Sequence, residues 1–394
     1  MRLQIWRVAA VVSGMAALAA GNSALAQSRY KADINTETPE GKLLQGIGQK
    51  EDDAAKLELV DQFLAAHGSH SGAPWAMSQA LTSAQKLKQH DKVIAMATKL
   101  VAFDPSDVEM AYAGLQAAVA KADNDLIIYW ATATAEAGKK ASAAPEPKDE
   151  DDIEHWKYKV SFSKPDQAPK RAEYEVFTAV MRTTDPAARI KALDALTAMN
   201  PKSEYLAQGP SYYFSAFRQL KQDDKALALA ARSAEANTAD EDMLLLLANN
   251  AFEKKNSEGV VKYADQLSAV LQGKAAPAGA DPAAWEKKKG ITLGAGLWLK
   301  GMTLAGQSKW KETDETLRLA APLVQDNPDL LSHALFNIGL ANYKLGNLNE
   351  ALKFSQECAA LKGPKQAEAA KNAAVIRQQG GGAAPAGKKS ARKK

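Results

Sequence analysis

Val93 and Ile127 stand 34 residues apart, and so do Ala226 and Val260. A recurrence of that length is far longer than a helical turn or a strand alternation, so it marks one supersecondary unit used repeatedly. The unit is clearest over residues 331–364. Leu335, Ile338, Gly339 and Tyr343 fall at helical spacing on one run, Ala351, Phe354 and Cys358 on a second, and Leu345, Gly346 and Asn347 form a turn between them. Two antiparallel helices of this kind have an apolar face with nothing to bury it, so the pattern predicts further pairs before it.

Those pairs can be followed along the chain. Thr38, Pro39 and Glu40 make a helix start, with a capping hydroxyl, a proline where no N–H is needed and a carboxylate near the positive end of the helix dipole. Leu43, Leu44 and Ile47 follow, then Leu57, Val60, Phe63 and Leu64. Leu81, Ala84, Val93 and Leu100, and then Leu115, Ala118, Ile127 and Ala131, repeat in register, so 38–138 reads as N-terminal helix pairs. Residues 139–167 read as a linker or insertion. The first part has no apolar stripe, and Trp156, Tyr158, Val160 and Phe162 alternate with polar residues, which predicts an extended or irregular segment with a short helix as the alternative. Pairing resumes over 168–272, where Tyr174, Phe177, Val180 and Met181 form one face. It is interrupted by a loop insertion at 273–281 and continues over 282–364. Residues 365–379 form a helix with a polar side and no downstream partner, which suits a cap.

The small residues Gly339, Gly346 and Ala351, with Leu335 at the usual Trp position and a proline at Pro364, give 331–364 its resemblance to a tetratricopeptide repeat (TPR). The resemblance implies an all-α fold, a right-handed superhelical solenoid of antiparallel helix pairs with a C-terminal capping helix. It also implies a concave groove, lined by the first helix of each pair, that takes an extended peptide or a helix of another protein. Counting from Gly339, the groove positions are His333, Phe336, Asn337, Leu340, Tyr343 and Lys344. The same count selects Trp298 and Met302, then Asn249, Phe252 and Glu253, and Tyr112 and Gln116 nearer the front. Rings bury apolar side chains of a peptide and amides pair with its backbone, so this mixture fits a peptide partner. The alternative is that the same rings only pack between repeats. The subtype that clamps a C-terminal carboxylate is disfavoured, because Leu246 and Leu299 stand where its basic residues belong.

The two ends carry different information. Arg2 and Arg7, an apolar run over 8–20 and Ala24-Leu25-Ala26 have the layout of a signal peptide, 1–26, followed by a flexible lead over 27–37. The apolar run is too short for a good membrane span, which predicts an exported, soluble protein, periplasmic or secreted. Lys388, Lys389, Arg392, Lys393 and Lys394 lie in a tail, 380–394, with no core residue, expected to be disordered. These seven cations exceed the chain's formal charge of +4, so the body is mildly acidic and a nucleic-acid-binding body is not supported. The tail itself could make weak contact with an anionic envelope polymer.

No GxSxG elbow, HExxH helix, phosphate loop, CxxC pair or calcium loop occurs, and no cofactor is expected. His67 and His70 lack further ligands at metal spacing, and the lone Cys358 reads as a small buried apolar side chain. The leading expectation is therefore a non-catalytic scaffold that binds a protein or peptide partner in cell-envelope organisation. A polymer-binding module acting through the basic tail is the runner-up, and an enzyme with an unrecognised site is third.

Overall fold

The computed structural model describes residues 30, 32, 34–148, 150–277 and 279–380, apart from the side chain of Asp151. The expected signal peptide, most of the first part of the lead and the tail cations lie outside the described residues. The described chain is helical, without a strand, and divides into two compact units, one ending at Ala216 and the other starting at Phe217. The first unit holds α1 (Pro39–Gln49), α2 (Asp53–His67), α3 (Ala73–Lys86), α4 (His90–Phe103), α5 (Val108–Ala120), α6 (Asn124–Ala143), α7 (Glu150–Phe162), α8 (Ala168–Arg182) and α9 (Pro186–Met199). A 3-10 turn, Glu204–Gln208, follows, and α10 (Gly209–Gln219) runs through the boundary. The second unit holds α11 (Asp223–Glu235), α12 (Glu241–Glu253), α13 (Ser257–Leu271), α14 (Pro282–Gly306), α15 (Trp310–Ala320), α16 (Pro328–Lys344), α17 (Leu348–Ala360) and α18 (Gln366–Gln378).

Helix starts follow the residue chemistry. Thr38 accepts a hydrogen bond from the Gly41 N–H, and Asp52, Asp107, Asp123, Asp185, Asp240, Asn256, Asp281 and Asn327 cap their helices in the same way. Six turns inside helix pairs share one geometry. Lys88, Ala122, Lys221, Lys255, Ser308 and Gly346 all have positive φ. In each case the next residue's N–H bonds a carbonyl five residues back, at 2.8 to 3.4 Å. This closes the first helix with a Schellman motif and reverses the chain into the second. Five residues past each left-handed residue comes a buried side chain: Val93, Ile127, Ala226, Val260, Thr313 and Ala351, none more than 2% exposed. The 34-residue spacing thus reflects equivalent positions on successive second helices.

Within each unit most neighbouring helices pack in sequence order, so a pair buries its apolar face against the next. The first unit has a continuous core from Leu44 and Ile47 through Phe63, Leu100 and Trp130 to Val180 and Leu196. In the second, Leu317, Leu335, Ile338, Phe354 and Cys358 form one cluster. Ala351 and Leu352 join Ala373 and Ile376 of α18 in another, so the last helix covers the end of the α16–α17 pair with its apolar side.

Three expectations need correction. The segment around Phe162 is a helix, α7, the alternative to the extended or irregular form expected first, and α6 continues to Ala143 into the expected linker or insertion. His155, Tyr158, Lys159 and Phe162 also fit helical spacing, and contacts of Lys159 and Phe162 with α5 and its preceding loop decide in its favour. The lead is anchored at Tyr30, 9% exposed, whose hydroxyl donates to the buried Asp107 carboxylate at 2.7 Å and whose ring meets Phe103 edge-on at 6.0 Å. The face assigned to α8 is split, with Phe177 and Val180 buried while Tyr174 and Met181 are exposed.

Candidate partner-binding face

In the second unit the first helices of successive pairs, α12, α14 and α16, touch one another as well as their own partners. The side chains at those contacts are the ones selected by counting from Gly339. The Trp298 ring lies 6.0 Å from Phe252 and 6.2 Å from His333, edge-on to the imidazole. Its indole N–H donates to the Leu330 carbonyl at 3.0 Å. Asn337 donates to the His333 carbonyl at 2.9 Å and reaches the Met302 sulfur at 3.4 Å. Phe252, Trp298, Met302, His333 and Asn337 therefore form one half-buried row across three helices. The row joins helix to helix and still shows surface, so packing between repeats and a face toward solvent are both present in the same side chains.

The remaining positions on this unit separate. Lys365 sets its ammonium 5.1 Å over the Phe336 ring. Tyr343 packs toward the cluster shared with α18 and so belongs to the cap contact. Leu340 is half-buried beside the row, whereas Asn249, Glu253 and Lys344 are exposed, and Asn249 bonds the Leu245 carbonyl of its own helix at 3.0 Å.

Tyr112 and Gln116 lie in the first unit, on α5. Gln116 is exposed, while Tyr112 is half-buried and meets Phe162 of α7 edge-on at 5.5 Å. Burial pushes the Tyr112 phenol up, partly offset by the nearby Arg171 guanidinium. A second aromatic group stands on α8 and after it. Tyr205 stacks on Phe177 at 5.5 Å and approaches Tyr174 at 6.1 Å, and Phe177 meets Tyr212 at 5.9 Å. Arg171 lies 5.1 Å over the Tyr174 ring. Tyr174, Tyr205 and Phe162 were not among the groove positions read from the sequence. The count from Gly339 follows the first helices of regular pairs, and neither α7 nor the Glu204–Gln208 turn belongs to one. The usable signal was the helical spacing of Tyr158, Lys159 and Phe162.

His67 and His70 pack on Phe63 at 5.8 and 5.9 Å, and His70 accepts the Gly72 N–H at 3.0 Å. No group of three or more His, Cys, Asp or Glu among the described residues is placed to hold a metal ion. Burial pushes the Cys358 thiol up, and its sulfur contacts the Ser332 carbonyl at 3.3 Å. No helix among the described residues is long and apolar enough to cross a membrane. A scan against protein families matches none, and a search of curated proteins finds no match.

Proposed function

We propose that this chain is an exported, non-catalytic scaffold of the tetratricopeptide-repeat kind, a right-handed superhelix whose first helices present a face to a protein or peptide partner. The observation that carries the reading is the row Phe252, Trp298, Met302, His333 and Asn337, in which rings and an amide from three successive first helices stand together half-exposed. Such a row offers apolar area at little entropic cost together with hydrogen-bonding groups, which is what peptide recognition by rigid aromatic anchors requires. The six equivalent turns support the repeat assignment. The apolar run at the N-terminus supports export, with a role in cell-envelope organisation.

The reading is tested by placing a photo-crosslinking amino acid at Leu340, beside the row, and separately at Glu357, exposed on the second helix α17. A discrete adduct to one protein is expected from position 340 and none from 357. Equal adducts from both, or adducts only from 357, would remove the first-helix face from consideration.

A further inference from the structure

Helix α7 stands apart from the repeat. Every other helix contributes fully buried side chains, whereas none of the described side chains of α7 is buried. It is also not needed to continue the stack, because α6 packs directly on α8, and α5 touches α8 as well. Among the contacts that hold α7 are side-chain anchors on α5, on α6 and in the loop before α5. Phe162 meets Tyr112 edge-on and joins the cluster of Val108, Ala111, Ala137 and Ala168, with Tyr158 stacked on its ring at 6.0 Å. Three residues earlier, the Lys159 ammonium lies 2.7 Å from an Asp104 carboxylate oxygen and 3.0 Å from the Ser106 hydroxyl. The Trp156 indole donates to the Ala144 carbonyl at 3.1 Å, inside the connecting loop.

An amphipathic helix laid on a solenoid face through a basic side chain and an aromatic one turn later is the manner in which a helical ligand binds a groove. Its low burial implies that it opens well below the cost of global unfolding. We propose that the face of α5 and α6 under α7 is a binding site for a helical segment of a protein partner carrying a basic residue three positions before an aromatic one, and that α7 is the chain's own occupant of that site. Partner binding then requires α7 to lift, with Asp104 and Ser106 receiving the partner's cation and Tyr112 its ring. The inference rests on the reading of first-helix faces as partner-binding, and assigns this one an internal competitor.

The unaltered full chain gives the first test. Hydrogen exchange at α7 amides is expected at least about a hundredfold faster than at α5 and α6; equal protection of the three helices would overturn the proposal. In the second, residues 147–164 are replaced by a Gly/Ser segment of the same length, and the probe is a synthetic peptide of residues 150–164. The peptide is expected to bind this variant and not the parent chain, and to bind about tenfold more weakly when it carries Phe162→Ala or Lys159→Ala. Absence of binding to a folded variant, or loss of the fold on replacement, would show that α7 is an integral part of the core and end the proposal. A photo-crosslinker at Tyr112 completes the set. Its intermolecular adducts should rise several-fold when Phe162→Ala is added, and an unchanged yield counts against the competitor role. Adducts from Leu340 are read on the other unit, so they persist if only this inference fails.

Discussion

Gly114 and Trp130 show how closely one side chain can join two helices. Trp130 is 1% exposed on α6, and a Cβ built on Gly114 of α5 would lie 2.4 Å from its ring. Real side chains never approach so closely, so Gly114→Ala must push the indole or the helix away. The expected loss is about 1–3 kcal/mol, as for other overpacked cores. It would be read as a lower urea midpoint with an unchanged slope. Gly306, at the end of α14, is the internal control. Nothing lies within 4 Å of its added Cβ, so Gly306→Ala should be neutral or slightly stabilising. Gly114 leaves α5 without a side chain at this point, and only the partner helix shows that a ring fills the space.

At the scale of the element, α7 depends on an ion pair as well as on an aromatic contact. The edge-on Tyr112–Phe162 pair contributes about 1 kcal/mol beyond its buried area. Burial alone would raise the Asp104 carboxyl, but the Lys159 ammonium, the Ser106 hydroxyl and the Ser106 N–H outweigh it and hold the group below its ordinary value of 3.8. A depressed value in the folded state means that the stabilisation is present above pH 3.8 and is lost as the pH falls through the folded value. Limited proteolysis at pH 6 and then at successively lower pH, down to about 2, should therefore show the 144–165 segment becoming sensitive in acid before the rest of the first unit. Lys159→Met should make the segment sensitive throughout this range and flatten the difference. A segment that stays equally resistant throughout the range in the parent chain would contradict the role given to the pair.

For the whole molecule, packing between neighbours implies that damage stays local. Ile376 of α18 is 3% exposed and closes the cluster with Ala351 and Leu352. Ile376→Ala should cost about 2 kcal/mol in the second unit, by loss of burial and the cavity left behind. Hydrogen exchange should register it in α16 and α17 while α2 to α6 keep their protection. Uniform loss across both units would mean that the chain behaves as one cooperative block. The polar side of this helix was legible beforehand, since Gln366, Glu368 and Lys371 face water and leave Ala369, Ala373 and Ile376 to face the pair before it.

Local chemistry sufficed for the helices themselves. Capping residues, proline at first turns and apolar spacing act within a few residues, so most helices could be read from the chain. The equivalence of Val93 with Ile127, and of Ala226 with Val260, was equally local, since one turn geometry repeats wherever the spacing does. Even so, Lys, Ala and Ser occupy five of the six left-handed turn positions, so glycine could not have marked them. Interactions between distant segments were out of reach. Tyr30 finds Asp107, Phe162 finds Tyr112 and Trp298 finds His333 only after the intervening helices have stacked. Alternation alone left Trp156 to Phe162 open between extended and helical forms, because neither pattern states what surface lies opposite. The tertiary structure decided it by supplying that surface, the Asp104 carboxylate in the loop before α5 for Lys159 and the Tyr112 ring on α5 for Phe162.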